Sequence, residues 1–128
     1  VDTEAADDAA KQKFGKVIDM MKDPAQSTFS FVLFPESTPI LEAYRASQEL
    51  ATLDIHTGMV VANYIIPKEQ TDTAFVHSRQ AMQNKYLEEI SKKFKVPVVQ
   101  ISLDPQEVKG LEMLIELGEK IYGKPHQQ

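Results

Sequence analysis

The chain has 128 residues, 42% hydrophobic and 26% charged, values of one ordinary globular domain rather than of a disordered or fibrous chain. Fourteen Lys and Arg against nineteen Asp and Glu give a formal charge of -5, so no broad basic surface is offered to nucleic acid and no polybasic run to an anionic membrane. The absence of cysteine excludes a disulfide framework, a thiolate zinc site, an iron–sulfur cluster and a cysteine nucleophile. No apolar run reaches the roughly 20 residues of a membrane span, and nothing at the start resembles a signal peptide, so a cytoplasmic protein without a transmembrane segment is expected. The chain starts at Val1 rather than Met, which fits either processing or a piece of something larger.

The first dozen residues are Ala and acidic residues that extend a helix or fray. Ala10, Phe14, Val17, Ile18 and Met21 then form one face of an amphipathic helix. Asp23-Pro24 ends it, because the residue before proline avoids the helical region. Thr28 to Phe34, rich in aromatic residues and stopped by Pro35, predicts a strand. Ser37-Thr38-Pro39 predicts a helix start with a hydroxyl cap, and the helix runs to about Leu53 with Ile40, Leu41, Tyr44, Leu50 and Ala51 inward. Met59 to Ile66, after a turn at Gly58 and before Pro67, predicts a buried strand.

Thr71-Asp72 opens a long helix to about Lys93, with Phe75, Met82, Tyr86, Ile90 and Phe94 on one stripe. Pro97 to Leu103 predicts a third strand. Asp104-Pro105-Gln106-Glu107 carries the elements of a capping box and predicts the start of the last helix. That helix has Val108, Leu111, Leu114, Ile115, Gly118, Ile121 and Tyr122 on one face and is closed by Gly123 and Pro125. The expected architecture is a single domain over residues 1–128, with an N-terminal helix (1–23) followed by three strand–helix units (28–123). Continuous apolar strands separated by helices predict an α/β fold with a parallel sheet buried on both faces. Three strands are few, so at least one sheet edge is expected to meet strands from outside this chain.

The usual catalytic signatures are missing. The glycines at 15, 58, 110, 118 and 123 never form a phosphate-cradling loop. His77 and Ser78 are neighbours on a helix and point about 100° apart, which does not make a triad. His56, His77 and His126 have no second histidine at ligand spacing. Glu36 and Glu42 are explained by favourable charge at a helix start, and Met20, Met21, Met59, Met82 and Met113 by packing. In open parallel sheets, ligands bind beyond the carboxyl ends of the strands. Those ends are Pro35-Glu36, Asn63 to Pro67, and Ser102-Leu103-Asp104. Asn63 is an amide inside an apolar run and needs partners, which an adenine edge or a neighbouring protein group would equally supply.

Several stretches, in order, resemble one family. They are Asp23-Pro24 with Thr28 to Val32; Pro35-Glu36 with Leu41 to Arg45 and Gln48-Glu49-Leu50; Val60 to Asn63; Arg79, Met82-Gln83 and Lys85-Tyr86-Leu87; and Ser102-Leu103 with Glu107 to Gly110 and Leu114. Together these stretches, between Phe14 and Tyr122, resemble the C-terminal part of the arsenite-pump (ArsA-type) ATPases. These are deviant P-loop ATPases whose family includes the ATPases that target tail-anchored membrane proteins. The resemblance implies a P-loop NTPase-like C-terminal part without its phosphate-binding loop. It implies ATP and Mg²⁺ as ligands of the full-length protein, with the Walker A loop, the Mg²⁺ ligands and the hydrolytic residues in a missing N-terminal part of the same protein. This chain would then contain no catalytic residue and contribute adenine recognition. Asn63 matches the asparagine that contacts the base, and Ser102, Leu103 and Asp104 fall in the loop that closes over it, although the family often has Pro where Ser102 stands.

Members that target tail-anchored proteins carry a zinc-binding CxxC whose positions here are Thr73 and Val76, so no zinc-clamped dimer is expected and a prokaryotic, pump-like member is favoured. The resemblance leaves open a homodimer and a membrane pump or membrane-protein client as partners. The alternative is a non-catalytic α/β interaction module that pairs with another subunit.

Overall fold

The structure is a computed structural model and describes residues 3–123; Pro125 and His126 lie outside the described residues. In chain order the elements are α1 (Thr3–Lys22), β1 (Phe29–Leu33), α2 (Ser37–Thr52), β2 (Thr57–Ile65), α3 (Ala74–Phe94), β3 (Val98–Ser102) and α4 (Gly110–Tyr122). The strands form one parallel sheet ordered β1-β2-β3, so the α/β class and the helix-then-three-units order hold.

Consecutive right-handed crossovers between neighbouring strands place their helices on the same face of a sheet. Accordingly Ile40 and Ala43 of α2 and Ile90 of α3 share one core with Leu33, Val60 and Ala62. Ile40, Val60 and Ile90 are fully buried. Phe94 closes the lower end of this core, tilted against Phe31 at 6.2 Å and edge-on to Tyr44 at 5.7 Å between ring centroids. The other face corrects the expectation of burial on both sides. Val32 of β1 is 66% exposed, and neither α1 nor α4 buries a single residue. The continuous apolar strands therefore have one covered face and one bare face among the described residues. Phe14, Val17, Ile18 and Met20 of α1, and Leu111, Leu114 and Ile115 of α4, are likewise exposed.

Three helix starts differ from the sequence expectation. Glu36, not a hydroxyl residue, precedes α2 in extended conformation and makes no side-chain cap. Pro39 still falls in the first turn, where its missing N–H costs nothing. The third helix begins at Ala74 instead of Thr71, because Thr73 is the residue whose Oγ1 accepts from the Val76 N–H at 3.2 Å. The fourth begins six residues after Asp104. The Asp104 carboxylate accepts from the Gln106 N–H at 3.0 Å in an Asx turn, and Glu107 pairs with Lys109 at 2.8 Å instead of closing a box. An Asx turn and an N-cap use the same short acceptor and the same residue spacing, so the local pattern does not separate them.

Two irregularities interrupt the ladders. Phe29 pairs with Thr57 and Ser30 with Met59, which leaves Gly58 as an extra residue. A Cβ there would meet Thr28 Cγ2 at 2.8 Å, so only glycine fits without movement. At the other end, Ala62 pairs with Gln100 and Ile65 with Ser102, so Asn63 and Tyr64 together oppose Ile101 in a β-bulge.

Candidate functional site

Beyond the carboxyl ends of β1 and β2 lies an open cleft of about 440 Å³, lined by Val32, Leu33, Phe34, Pro39, Glu42, Ala43, Asn63 and Tyr64. Its position follows from the topology, since parallel strands end together and the chain leaves each of them in a loop. Phe34, just past β1, and Tyr64, in the β2 bulge, stack face to face at 4.8 Å with their planes 10° apart.

The bulge shapes this rim. Tyr64 has φ 58°, a left-handed conformation that costs a non-glycine residue roughly 1–2 kcal/mol. Its backbone groups are held from both sides. The Tyr64 N–H donates to Asn63 Oδ1 at 2.9 Å, and its carbonyl accepts from Gln83 Nε2 at 2.9 Å. Asn63 therefore has its acceptor occupied locally. Its Nδ2 has no partner among the described residues and is not a buried orphan, which leaves a free donor at the cleft lined in part by Asn63.

Ser102, Leu103 and Asp104 lie at the end of β3 and are not among the residues that line the cleft. The structure does not bring them against Asn63, but it ties their loop to the same strand end, because the Leu103 N–H donates to the Ile65 carbonyl at 2.8 Å. Asp104 anchors the loop to α4 through Lys120 Nζ at 3.3 Å. The Gln106 N–H, and then the Lys120 ammonium, hold the Asp104 carboxyl below its ordinary value. A lowered carboxyl binds its proton less tightly in the native state than in the unfolded chain. Its stabilising contribution is thus present above the unfolded value and disappears as pH falls through the lower native one. An NMR titration of Asp104 is expected to give a midpoint below 3.8. Lys120→Met should recover only part of the shift, since the Gln106 N–H is the larger cause. A midpoint at or above the ordinary value would show that the turn and the ion pair do not persist in solution.

Sequence reasoning passed over the polar side chains that build this rim. Gln83 is buried on α3, and its Oε1 also accepts from the Ile66 N–H at 2.9 Å. Gln80, one turn earlier, donates to the carbonyls of Pro67 and Gln70, each at 2.9 Å. A signal was present. Gln83, Leu87, Ile90 and Phe94 follow the spacing of one helical face, so a glutamine occupies a core position where an apolar residue is the default. Arg79, on the same helix, pairs with Glu36 at 3.5 Å and links α3 to the start of α2. Among the described residues no cluster of three His, Asp or Glu side chains could hold a metal ion, and no helix is long and apolar enough to cross a membrane.

Known proteins resemble this chain over most of its length. Residues 3–123 match the anion-transporting ATPase family. A Halobacterium salinarum protein named as an arsenical pump-driving ATPase is 44% identical over 122 residues, covering 94% of this chain and 19% of its own length. ATPase GET3 of Podospora anserina is 33% identical over 116 residues, covering 89% of this chain and 34% of its own. ATPase GET3 of Chaetomium globosum is 36% identical over 102 residues, covering 78% and 30%. The chain thus spans between 19% and 34% of the length of these relatives. With a family match over all of its described residues, the chain belongs to the anion-transporting (ArsA-type) ATPase family.

Proposed function

We propose that this chain is the adenine-recognising, C-terminal part of an ArsA-type ATPase, with Asn63 as the residue that contacts the base. The observation that carries this reading is the free Asn63 Nδ2 donor at a cleft beyond the strand ends. Adenine offers ring-nitrogen acceptors on its edges, which an amide N–H can meet. The cleft fits the base in other respects. The Phe34 and Tyr64 rings supply apolar surface to a flat heterocycle, and Glu42 is an acceptor for an exocyclic amino group. Ser102, Leu103 and Asp104, tied to β2 through Leu103, lie outside the lining of the cleft, and it is the family resemblance that assigns them to a loop closing over the base.

Phosphate-binding and hydrolytic residues are assigned to an N-terminal part of the same protein, together with the ligands of Mg²⁺, which neutralises phosphate charge when bound. The bare face of the sheet and the uncovered β1 edge support a partner of this kind, because an apolar sheet face and an unpaired strand edge call for cover. The same bare surfaces also suit an interaction module that pairs with another subunit, and nucleotide binding separates the two readings. The name of one relative, an arsenical pump-driving ATPase, supports a pump as partner of the whole protein, and the sequence resemblance adds a cytoplasmic setting, a homodimer and a membrane-protein client as the other readings of its surroundings.

In the full-length protein, Asn63→Ala is expected to weaken ATP binding about tenfold, the effect of losing one hydrogen bond of about 1.4 kcal/mol, with a small drop in the melting midpoint because the Tyr64 N–H also loses its acceptor. Calorimetric titration checks it. An unchanged ATP affinity would remove Asn63 from the site and favour the interaction module.

A further inference from the structure

We infer that Gln83 is a positioning residue for base recognition: its buried carboxamide holds the β2 bulge in the shape that points the Asn63 amide at the cleft. This inference rests on the reading of Asn63 as the base contact. The extra residue at positions 63 and 64 interrupts the β2–β3 ladder, and backbone groups freed in this way must find partners elsewhere. Gln83 supplies two of them with one side chain. Its Nε2 donates to the Tyr64 carbonyl and its Oε1 accepts from the Ile66 N–H, both at 2.9 Å. The two bonded groups flank Ile65, so a single planar amide, only 7% exposed, fixes the path of the strand on either side of its re-entry into the ladder.

The constraint then passes to Asn63. Tyr64 sits in the left-handed region, which a residue with a side chain holds only when its surroundings impose it. Gln83 fixes its carbonyl side, and Asn63 Oδ1 fixes its N–H side. With the acceptor half of Asn63 engaged on Tyr64, the carboxamide has one orientation left, and its Nδ2 is the half presented to a ligand. Gln80 extends the same device by tying the Pro67 and Gln70 carbonyls to α3. Few side chains can replace Gln83. An apolar residue fills the volume but strands a donor and an acceptor. A carboxylate keeps the acceptor but turns a second acceptor toward the Tyr64 carbonyl. A protonated carboxyl group restores both bonds, because it has an O–H donor and an oxygen acceptor in the same plane.

That last property gives the test, made on the full-length protein by titrating ATP and GTP, whose triphosphates are alike, and reading the ratio of their affinities. The wild type is expected to prefer ATP with a ratio that is flat between about pH 8 and about pH 6, the range into which burial raises a Glu. Gln83→Met should lower the preference about tenfold. Gln83→Glu should lower it equally at the alkaline end and recover it as the pH falls and the new carboxyl takes up a proton. A residue that merely supports the fold would lower the melting midpoint and leave the ratio unchanged and free of new pH dependence. If Asn63→Ala abolishes the preference while both Gln83 variants keep it at every pH, Gln83 does not position the base contact, and the reading of Asn63 stands. If Asn63→Ala leaves the preference intact, that reading fails and the role of Gln83 falls with it. Should Gln83→Met not fold, the pH response of Gln83→Glu decides alone.

Discussion

Val60→Asp is expected to abolish the cooperative fold at neutral pH. Val60 is fully buried in the middle strand, with β1 on one side, β3 on the other and Ile40 and Ile90 in the same cluster. No buried side-chain polar atom in this core is left unpartnered, and its apolar cluster holds no cation to meet a carboxylate. An unpaired buried charge costs about 3–5 kcal/mol even after relaxation, a large share of the roughly 5–15 kcal/mol that stabilises a domain. Circular dichroism and a thermal melt should show loss of the transition. Val60→Ala, which introduces no charge, should melt at a reduced but measurable midpoint. A Val60→Asp variant that melts within a few degrees of wild type would mean that water reaches the centre of the sheet.

The second large effect is expected at Ile90. Truncation to Ala removes three carbons from a fully buried position where α3 meets the sheet, and such changes cost about 2–5 kcal/mol. For a chain of this size, that lowers the melting midpoint by roughly 10 °C or more. The informative comparison is Ile115→Ala on α4. The same side chain is 53% exposed there, and exposed substitutions away from special features change stability by only about 0.5 kcal/mol. Equal losses at the two positions would show that something covers α4 in solution.

Much of the fold was legible because its main signals are local. Aromatic and β-branched runs stopped at Pro35 and Pro67 mark β1 and β2 within a residue or two, and the alternation with helices yields the parallel sheet. Helix starts were less legible. At Thr73, one residue or two from the expected position, the deciding interaction is a single hydroxyl–amide bond, and several neighbouring residues could have made it. At Asp104 the pattern was read correctly as an Asp bonding a nearby N–H, but a turn satisfies that pattern as well as a helix does. Which faces are covered could not be read at all. The stripes of α1 and α4 are as regular as those of buried helices, and periodicity reports that a face is apolar without reporting what meets it.

The candidate site divides in the same way. Asn63 stood out as an amide in an apolar run, but the bulge that orients it depends on a carboxamide from α3, twenty residues further along the chain. Nothing in the run from Met59 to Ile66 signals an extra residue, since Tyr64 is neither glycine nor a polar turn-former.

A strand alternates its side chains between two faces, so inserting one residue reverses the parity of everything after it. Val60 and Ala62 turn even positions into the core, and Ile65 packs against that core from an odd one. The reversal happens between them, at Asn63 and Tyr64. A regular strand would have kept the even positions inward, so Tyr64 would have turned into the core and Ile65 would have lost its place inside. With the parity reset, the strand offers a polar amide and an aromatic ring at its rim while its last apolar residue still returns to the interior. Residues at the rim can therefore change without rewriting the pattern that folds the sheet, which separates what the strand shows to a ligand from what it contributes to the core.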